Sequence, residues 1–148
     1  MKCVIQRVRE SHVEIDGKVI SRIQKGLNLL LGIEAGDMKE DVNKLVSKII
    51  ALRVFGDELG KMNLSIQDID GEALVISQFT LAASLRKGRR PSFDNAEKPE
   101  QANRLYELFV SKLSEHVKVQ TGEFAADMKV FIVNDGPVTF ILDSKELS

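Results

Sequence analysis

Apolar and polar positions alternate from the start of the chain. In CVIQRV, Cys3, Ile5 and Arg7 fall on one face and Val4, Gln6 and Val8 on the other, the two-residue period of a strand. HVEID and KVISRI flank Asp16-Gly17, a strong signal for a tight hairpin. GLNLLLGI, residues 26–33, is apolar almost without interruption and predicts a strand buried on both faces. The period then changes. Val42, Leu45, Val46, Ile49 and Ile50 recur at helical spacing, and Asp37 with Glu40 has capping-box separation just before them, Asp standing for the usual Ser or Thr. DELGKMNLS, residues 57–65, reads as loop, and ALVISQFTL, residues 73–81, as a strand expected near the middle of a sheet. Pro99 suits the first turn of a second helix whose inward stripe is Ala102, Leu105, Tyr106, Phe109 and Leu113. KVQTGEF then leads into two closing strands, MKVFIVND and VTFIL.

The junction between those last strands carries a conflict. Asn134-Asp135-Gly136 reads as a hairpin turn, yet Pro137 stands where the returning strand should begin and has no N–H for the ladder. An X-Pro bond is trans by default, with about 5–6% cis in folded proteins. A cis bond here would set the carbonyl oxygens of Gly136 and Pro137 side by side, with no Cβ on Gly136 to block approach. The sequence permits this geometry without selecting it.

Bulk composition narrows the class. At 148 residues, 43% hydrophobic and 29% charged, the chain fits one soluble domain with an ordinary core. The net charge of −1 gives no global basic field, so a nucleic-acid partner would need a local patch. Cys3 is the only cysteine, which excludes an internal disulfide and points to a reducing, cytoplasmic setting. Arg7 and Arg9 interrupt the N-terminus too early for a signal-peptide apolar core, and no apolar run approaches the roughly 20 residues that cross a bilayer. Neither a signal peptide nor a membrane partner is expected.

Few residues announce chemistry. His12 and His116 are far apart, and no Cys/His cluster accompanies them, so neither a metal nor a cofactor is expected. Phosphate-cradling glycine motifs are absent. Cys3 is expected as a small buried side chain. Ser77 does not sit in a G-x-S-x-G elbow, and the structural alternative for Ser77 and Thr80 is local hydrogen bonding at a strand end. The 85–99 loop, LRKGRRPSFDNAEKP, holds Arg86, Lys87, Arg89 and Arg90 around Gly88. Such a run is either a solvated surface or a phosphate grip, and Asp94, Glu97 and Glu100 would oppose the latter unless they face away.

Residue order settles between these readings. SQFTL at 77–81 with NDGPVT at 134–139 resembles the D-aminoacyl-tRNA deacylases, and QRV, FGDELGKMNLS, KGRRPSF and GEFAADMKVFIVNDGPVT follow in the family's order, nearly end to end. The resemblance implies a homodimeric enzyme that hydrolyses the ester joining a D-amino acid to the terminal adenosine of tRNA and accepts glycine as well. It implies that Ser77, Gln78, Phe79 and Thr80 line the aminoacyl-adenosine pocket as the catalytic segment. Gly136 and Pro137, joined by a cis bond, would enter from the other subunit as a chiral gate. Arg7 would brace the partner's Gly-Pro segment, and Lys87, Arg89 and Arg90 would contact the tRNA backbone. The family often has Asn at position 89 and Gly at position 125, where this chain has Arg89 and Ala125.

The fold expected is α+β: a single domain over residues 1–148, with a large mixed or antiparallel, barrel-like sheet carrying two main helices. The mechanism expected is positioning of ester, water and ribose 2′-hydroxyl, with backbone N–H groups near Phe79 and Thr80 facing the oxyanion, because no obvious base would deprotonate Thr80. A non-catalytic oligomeric module that binds an RNA end or a small metabolite, and a conventional Ser or Thr esterase, are the alternatives.

Overall fold

A computed structural model describes the whole chain, Met1–Ser148. Its scaffold is a six-stranded mixed sheet with two helices. The first strand, β1 (Lys2–Ile15), runs through both segments that the sequence suggested as separate strands. It turns at Asp16 (φ 50°) and Gly17 (φ 76°) into β2 (Lys18–Ile23), as the Asp-Gly pair predicts. Then β3 (Gly26–Gly32) lies between β1 and β6 (Glu72–Ser77), which explains its unbroken apolar run. The pairs β3–β6 and β6–β7 (Lys118–Thr121) are parallel, and each needs a crossover. Helix α1 (Lys39–Ala51) lies within the first crossover and α2 (Pro99–Ser114) within the second. Strand β2 also approaches β6 and β7, so the sheet curls into a nearly closed barrel.

Two apolar clusters follow from the two faces of the sheet. Leu27, Leu29 and Leu31 pack with Leu45 and Ile49 of α1 and with Leu105 and Phe109 of α2. Val8, Val13, Ile23, Leu74 and Ile76 fill the other side. All five residues of the α2 stripe are buried, with Pro99 in the first turn. On α1, Val42, Leu45, Val46 and Ile49 are buried and Ile50 is half-buried. Cys3 is fully buried, and burial pushes its thiol far above the ordinary range, so it is packing rather than nucleophile.

Other elements depart further from the sequence reading. The cap of α1 lies one residue later than expected: Met38 is the cap, and the Asp41 carboxylate accepts its N–H at 2.8 Å. Burial alone would push the Asp41 carboxyl up; hydrogen bonds from Met38 and Ser144 and the nearby Met1 ammonium hold it below the usual range. Asp37 instead accepts from the buried Met1 ammonium at 2.8 Å and from the Glu34 N–H at 2.7 Å. The 57–65 segment is not all loop, since β5 (Met62–Leu64) pairs with β4 (Phe55–Gly56).

The largest departure is at residues 131–142. No hairpin forms there. Instead β8 (Lys129–Asp143) is a single strand that stays antiparallel to β1 along its length. Gln6 pairs with Thr139 and Val8 with Asn134, so Arg7 alone stands opposite Asp135, Gly136, Pro137 and Val138. Those residues bulge out, and pairing resumes beyond them. The conflict at Pro137 is thereby resolved: a residue without an N–H sits where the ladder is interrupted.

Candidate active site

Strand β6 ends at Ser77, and the chain tightens at once into a 3-10 turn, Phe79–Ala82, rather than continuing as strand through Leu81. The turn is seated on β3: Gln78 N–H donates to the Leu31 carbonyl at 2.8 Å, and Leu81 N–H donates to the Gln78 carbonyl at 3.2 Å. Gly32 makes this fit possible. A Cβ there would come within 2.7 Å of Leu81 Cβ and 3.0 Å of the Gln78 carbonyl oxygen. Gln78 precedes the turn, so the Phe79 and Thr80 N–H groups are its first donors and have no partner within it.

Beside this turn lies a cleft of about 460 Å³. Ser77, Gln78 and Phe79 form one wall; Phe124 and Met128, from the loop before β8, form another; Pro99 at the head of α2 lies on its border. The lining residues are mostly apolar, with Glu97 and Asp127 among them. Thr80 follows this wall, exposed, and its hydroxyl accepts a 2.6 Å hydrogen bond from Gln78 Nε2. That bond supplies no base, because an amide N–H donates rather than removes a proton. Neither histidine lines the cleft; His12 stacks on Phe131, rings 4.3 Å apart, away from it. A histidine-based triad therefore has no member here.

Within the loop from Gly122 to Met128, nothing in the sequence points to Phe124 or Met128 as site residues. The loop's backbone is shaped by Ala125, which takes φ 64°, the left-handed region that glycine enters more readily. Tyr106 of α2 supports the loop by packing its ring 5.9 Å from that of Phe124. These residues lacked a signal in charge or periodicity; only the fold brings their loop to the cleft beside the end of β6.

Gly136 and Pro137 lie elsewhere. Neither lines the cleft, and their peptide bond is cis. Asn134 closes the base of the bulge: its Oδ1 accepts from the Val138 N–H at 2.9 Å, and its Nδ2 donates to Thr139 Oγ1 at 2.9 Å. Arg7 holds the top. It donates to the Asp135 carbonyl at 3.0 Å and to the Val54 carbonyl at 2.8 Å. This brace acts on the bulge of its own chain, where the sequence reading had placed it across subunits. Gly136 has φ 136°, and an added Cβ would meet Val138 Cγ2 at 2.6 Å and Arg7 Nη2 at 3.1 Å.

The basic loop projects beside the 3-10 turn. Ser84 and Ser92 exchange backbone hydrogen bonds of 2.8 and 2.9 Å at its neck, and Gly88 at its tip has φ 68°. Lys87, Arg89 and Arg90 are exposed and make no ion pair.

Residues 4–143 match the family model described as D-Tyr-tRNA(Tyr) deacylase. A D-aminoacyl-tRNA deacylase of Persephonella marina is 67% identical over 99% of this chain and 100% of its own. One of a Sulfurihydrogenibium species is 64% identical over the same shares. Among solved structures, a c-Myc DNA unwinding element binding protein superposes with TM-score 0.92 at 41% identity, covering 97% of this chain and 98% of its own.

Proposed function

The chain belongs to the D-Tyr-tRNA(Tyr) deacylase family and acts as a D-aminoacyl-tRNA deacylase; we propose that its active site is completed between two copies of the chain. The observation that carries this reading is the separation of the two signature segments. Within one chain, Ser77–Phe79 line the cleft and Gly136–Pro137 do not. Something must bring them together, and β8 offers a surface for it. Its side away from β1 has no strand neighbour, and Phe131, Val133, Phe140 and Ile141 are exposed along it. A homodimer that covers this strand would spare it the hazard of a long apolar edge.

In that site the cleft takes the terminal aminoacyl-adenosine, against Ser77, Gln78 and Phe79. The Gly136 and Pro137 carbonyls of the second copy face the α-carbon and amino group. An L side chain would run into this backbone, while a D side chain or the hydrogen of glycine points outward. Rejection by main chain needs no particular side chain, so many D-residues and glycine are substrates. Arg7 keeps the gate in place through Asp135, and Lys87, Arg89 and Arg90 take tRNA phosphates.

Catalysis then rests on position. The Thr80 hydroxyl receives a proton donor and no base, which disfavours it as a covalent nucleophile. The free N–H groups of Phe79 and Thr80 suit the oxyanion, and the ribose 2′-hydroxyl assists proton transfer to and from water. Orientation alone supplies about 7–11 kcal/mol in favourable cases, enough for an ester that is already activated. The deciding experiment compares D- and L-aminoacyl-tRNA made on the same tRNA, with and without the 2′-hydroxyl. Hydrolysis of the D ester only, lost with the 2′-hydroxyl and retained in Thr80→Ala, is expected. Loss with Thr80→Ala and indifference to the 2′-hydroxyl would indicate a conventional esterase.

A further inference from the structure

Phe93 follows the neck of the basic loop and is 42% exposed; it leans on Phe79, itself 58% exposed, with ring centroids 5.2 Å apart and planes tilted by 50°. Leu85, just inside the neck, is 76% exposed. Such a group of large apolar side chains kept in solvent marks a binding surface more often than a structural contact. Phe79 also lines the cleft, so this patch is the cleft's own rim. The loop that carries Leu85 also carries the exposed, unpaired cations Arg86, Lys87, Arg89 and Arg90. Aromatic faces beside a cationic track are what single-stranded nucleic acid binds.

Resting on the functional reading above, we infer that Phe93, with Phe79 and Leu85, is the stacking platform for the unpaired nucleotide next to the terminal adenosine. With that adenosine in the cleft, the preceding nucleotide must leave across the rim that Phe79 and Phe93 form. Its base stacks on the exposed rings, and its phosphate meets the loop, whose position is fixed by the Ser84–Ser92 hydrogen bonds. Stacking reads no base identity, which suits a 3′ end that all tRNAs share. Asp94, next to Phe93, adds a negative charge, so the attraction comes from the loop and not from the platform itself.

The test separates the terminal nucleoside from the rest of the strand. Phe93→Leu keeps bulk and removes the ring; Phe93→Tyr keeps the ring. With D-aminoacyl-tRNA, Phe93→Leu is expected to raise KM about tenfold at nearly unchanged kcat, and Phe93→Tyr to match the wild type. With D-aminoacyl-adenosine, all three proteins should be alike. Equal losses on both substrates, no loss on either, or a change in sedimentation rather than in KM would each overturn the platform. Binding of uncharged tRNA gives a readout independent of hydrolysis. Replacing the nucleotide before the terminal adenosine by an abasic one should weaken the wild type about tenfold and leave Phe93→Leu unaffected. A wild type that binds in this way yet hydrolyses neither ester would refute the deacylase reading and leave the platform standing.

Discussion

At the scale of single residues, the tightest constraint is at Gly136. Its φ of 136° and the 2.6 Å approach of Val138 Cγ2 to any Cβ leave no room for a side chain without moving the bulge. Gly136→Ala is therefore expected to lower kcat/KM for D-aminoacyl-tRNA about a hundredfold, the scale on which an ångström of misplacement acts. The melting temperature should fall by only about 2–6 °C, since the bulge lies outside the core. Wild-type activity and D/L discrimination in this variant would count against a backbone gate. Asp37 is a different kind of constraint. It and the Met1 ammonium are both buried, 2.8 Å apart, so Asp37→Asn removes the nearer of the two carboxylates that pair with the ammonium, Glu34 being 3.4 Å away. Breaking such a pair costs about 3 kcal/mol or more. Urea unfolding of the variant should show this as a lower midpoint, and an unchanged midpoint would mean that Glu34 and Ser144 hold the ammonium without it. The role of Asp37 was not legible in the sequence. Its spacing to Glu40 mimicked a capping box, and only the fold brings Met1 to it.

At the scale of elements, periodicity carried far where packing is one-sided. The α2 stripe was legible to the residue because one helix face meets one sheet face. The end of β6 was not, because Gln78-Phe79-Thr80-Leu81 continues an apolar strand pattern while Gly32, distant in sequence, decides that the chain turns. Gly32→Ala should thus displace the 3-10 turn from β3 and reduce turnover about tenfold or more, with KM less affected. A variant with full kcat would show that the turn tolerates the shift. The 131–142 stretch misled for a related reason. Its turn residues are real, but β1 is long enough to pair on both sides of them, so the chain bulges where a shorter partner would force a hairpin. Tyr106 links these elements. Its hydroxyl donates to the Val75 carbonyl of β6 at 2.8 Å, and burial pushes its pKa up to about 12. The unfolded chain releases this proton near pH 10, before the folded one does, so stability is full below that pH and declines between about pH 10 and 12. Tyr106→Phe should lose about 1 kcal/mol at neutral pH and also lose this alkaline component, by up to about 1.4 kcal/mol per pH unit. Parallel alkaline profiles for the two proteins would contradict the assignment.

At the scale of the whole molecule, a site shared between copies makes a prediction that no single-chain site can. Take Gly136→Ala, with an intact catalytic turn, and Gly32→Ala, with an intact gate, each expected at about a tenth of wild-type activity or less alone. Unfolded together and refolded, they should pair at random, and about half of the dimers will be mixed. In a mixed dimer, one site combines the two altered segments and the other combines the two intact ones. The mixture should then recover roughly a quarter of wild-type activity, although neither protein has gained anything by itself. If each site were contained within one chain, every site in the mixture would still hold one defect, and activity would stay at the average of the two variants. The same experiment with Ile141→Lys in both chains adds a control. Ile141 of β8 is 77% exposed, so the charge should leave each chain folded while opposing the contact. Recovery should then disappear together with the dimer in sedimentation. Activity that stays at the average of the two variants although sedimentation shows dimers would place the gate and the turn in one chain after all.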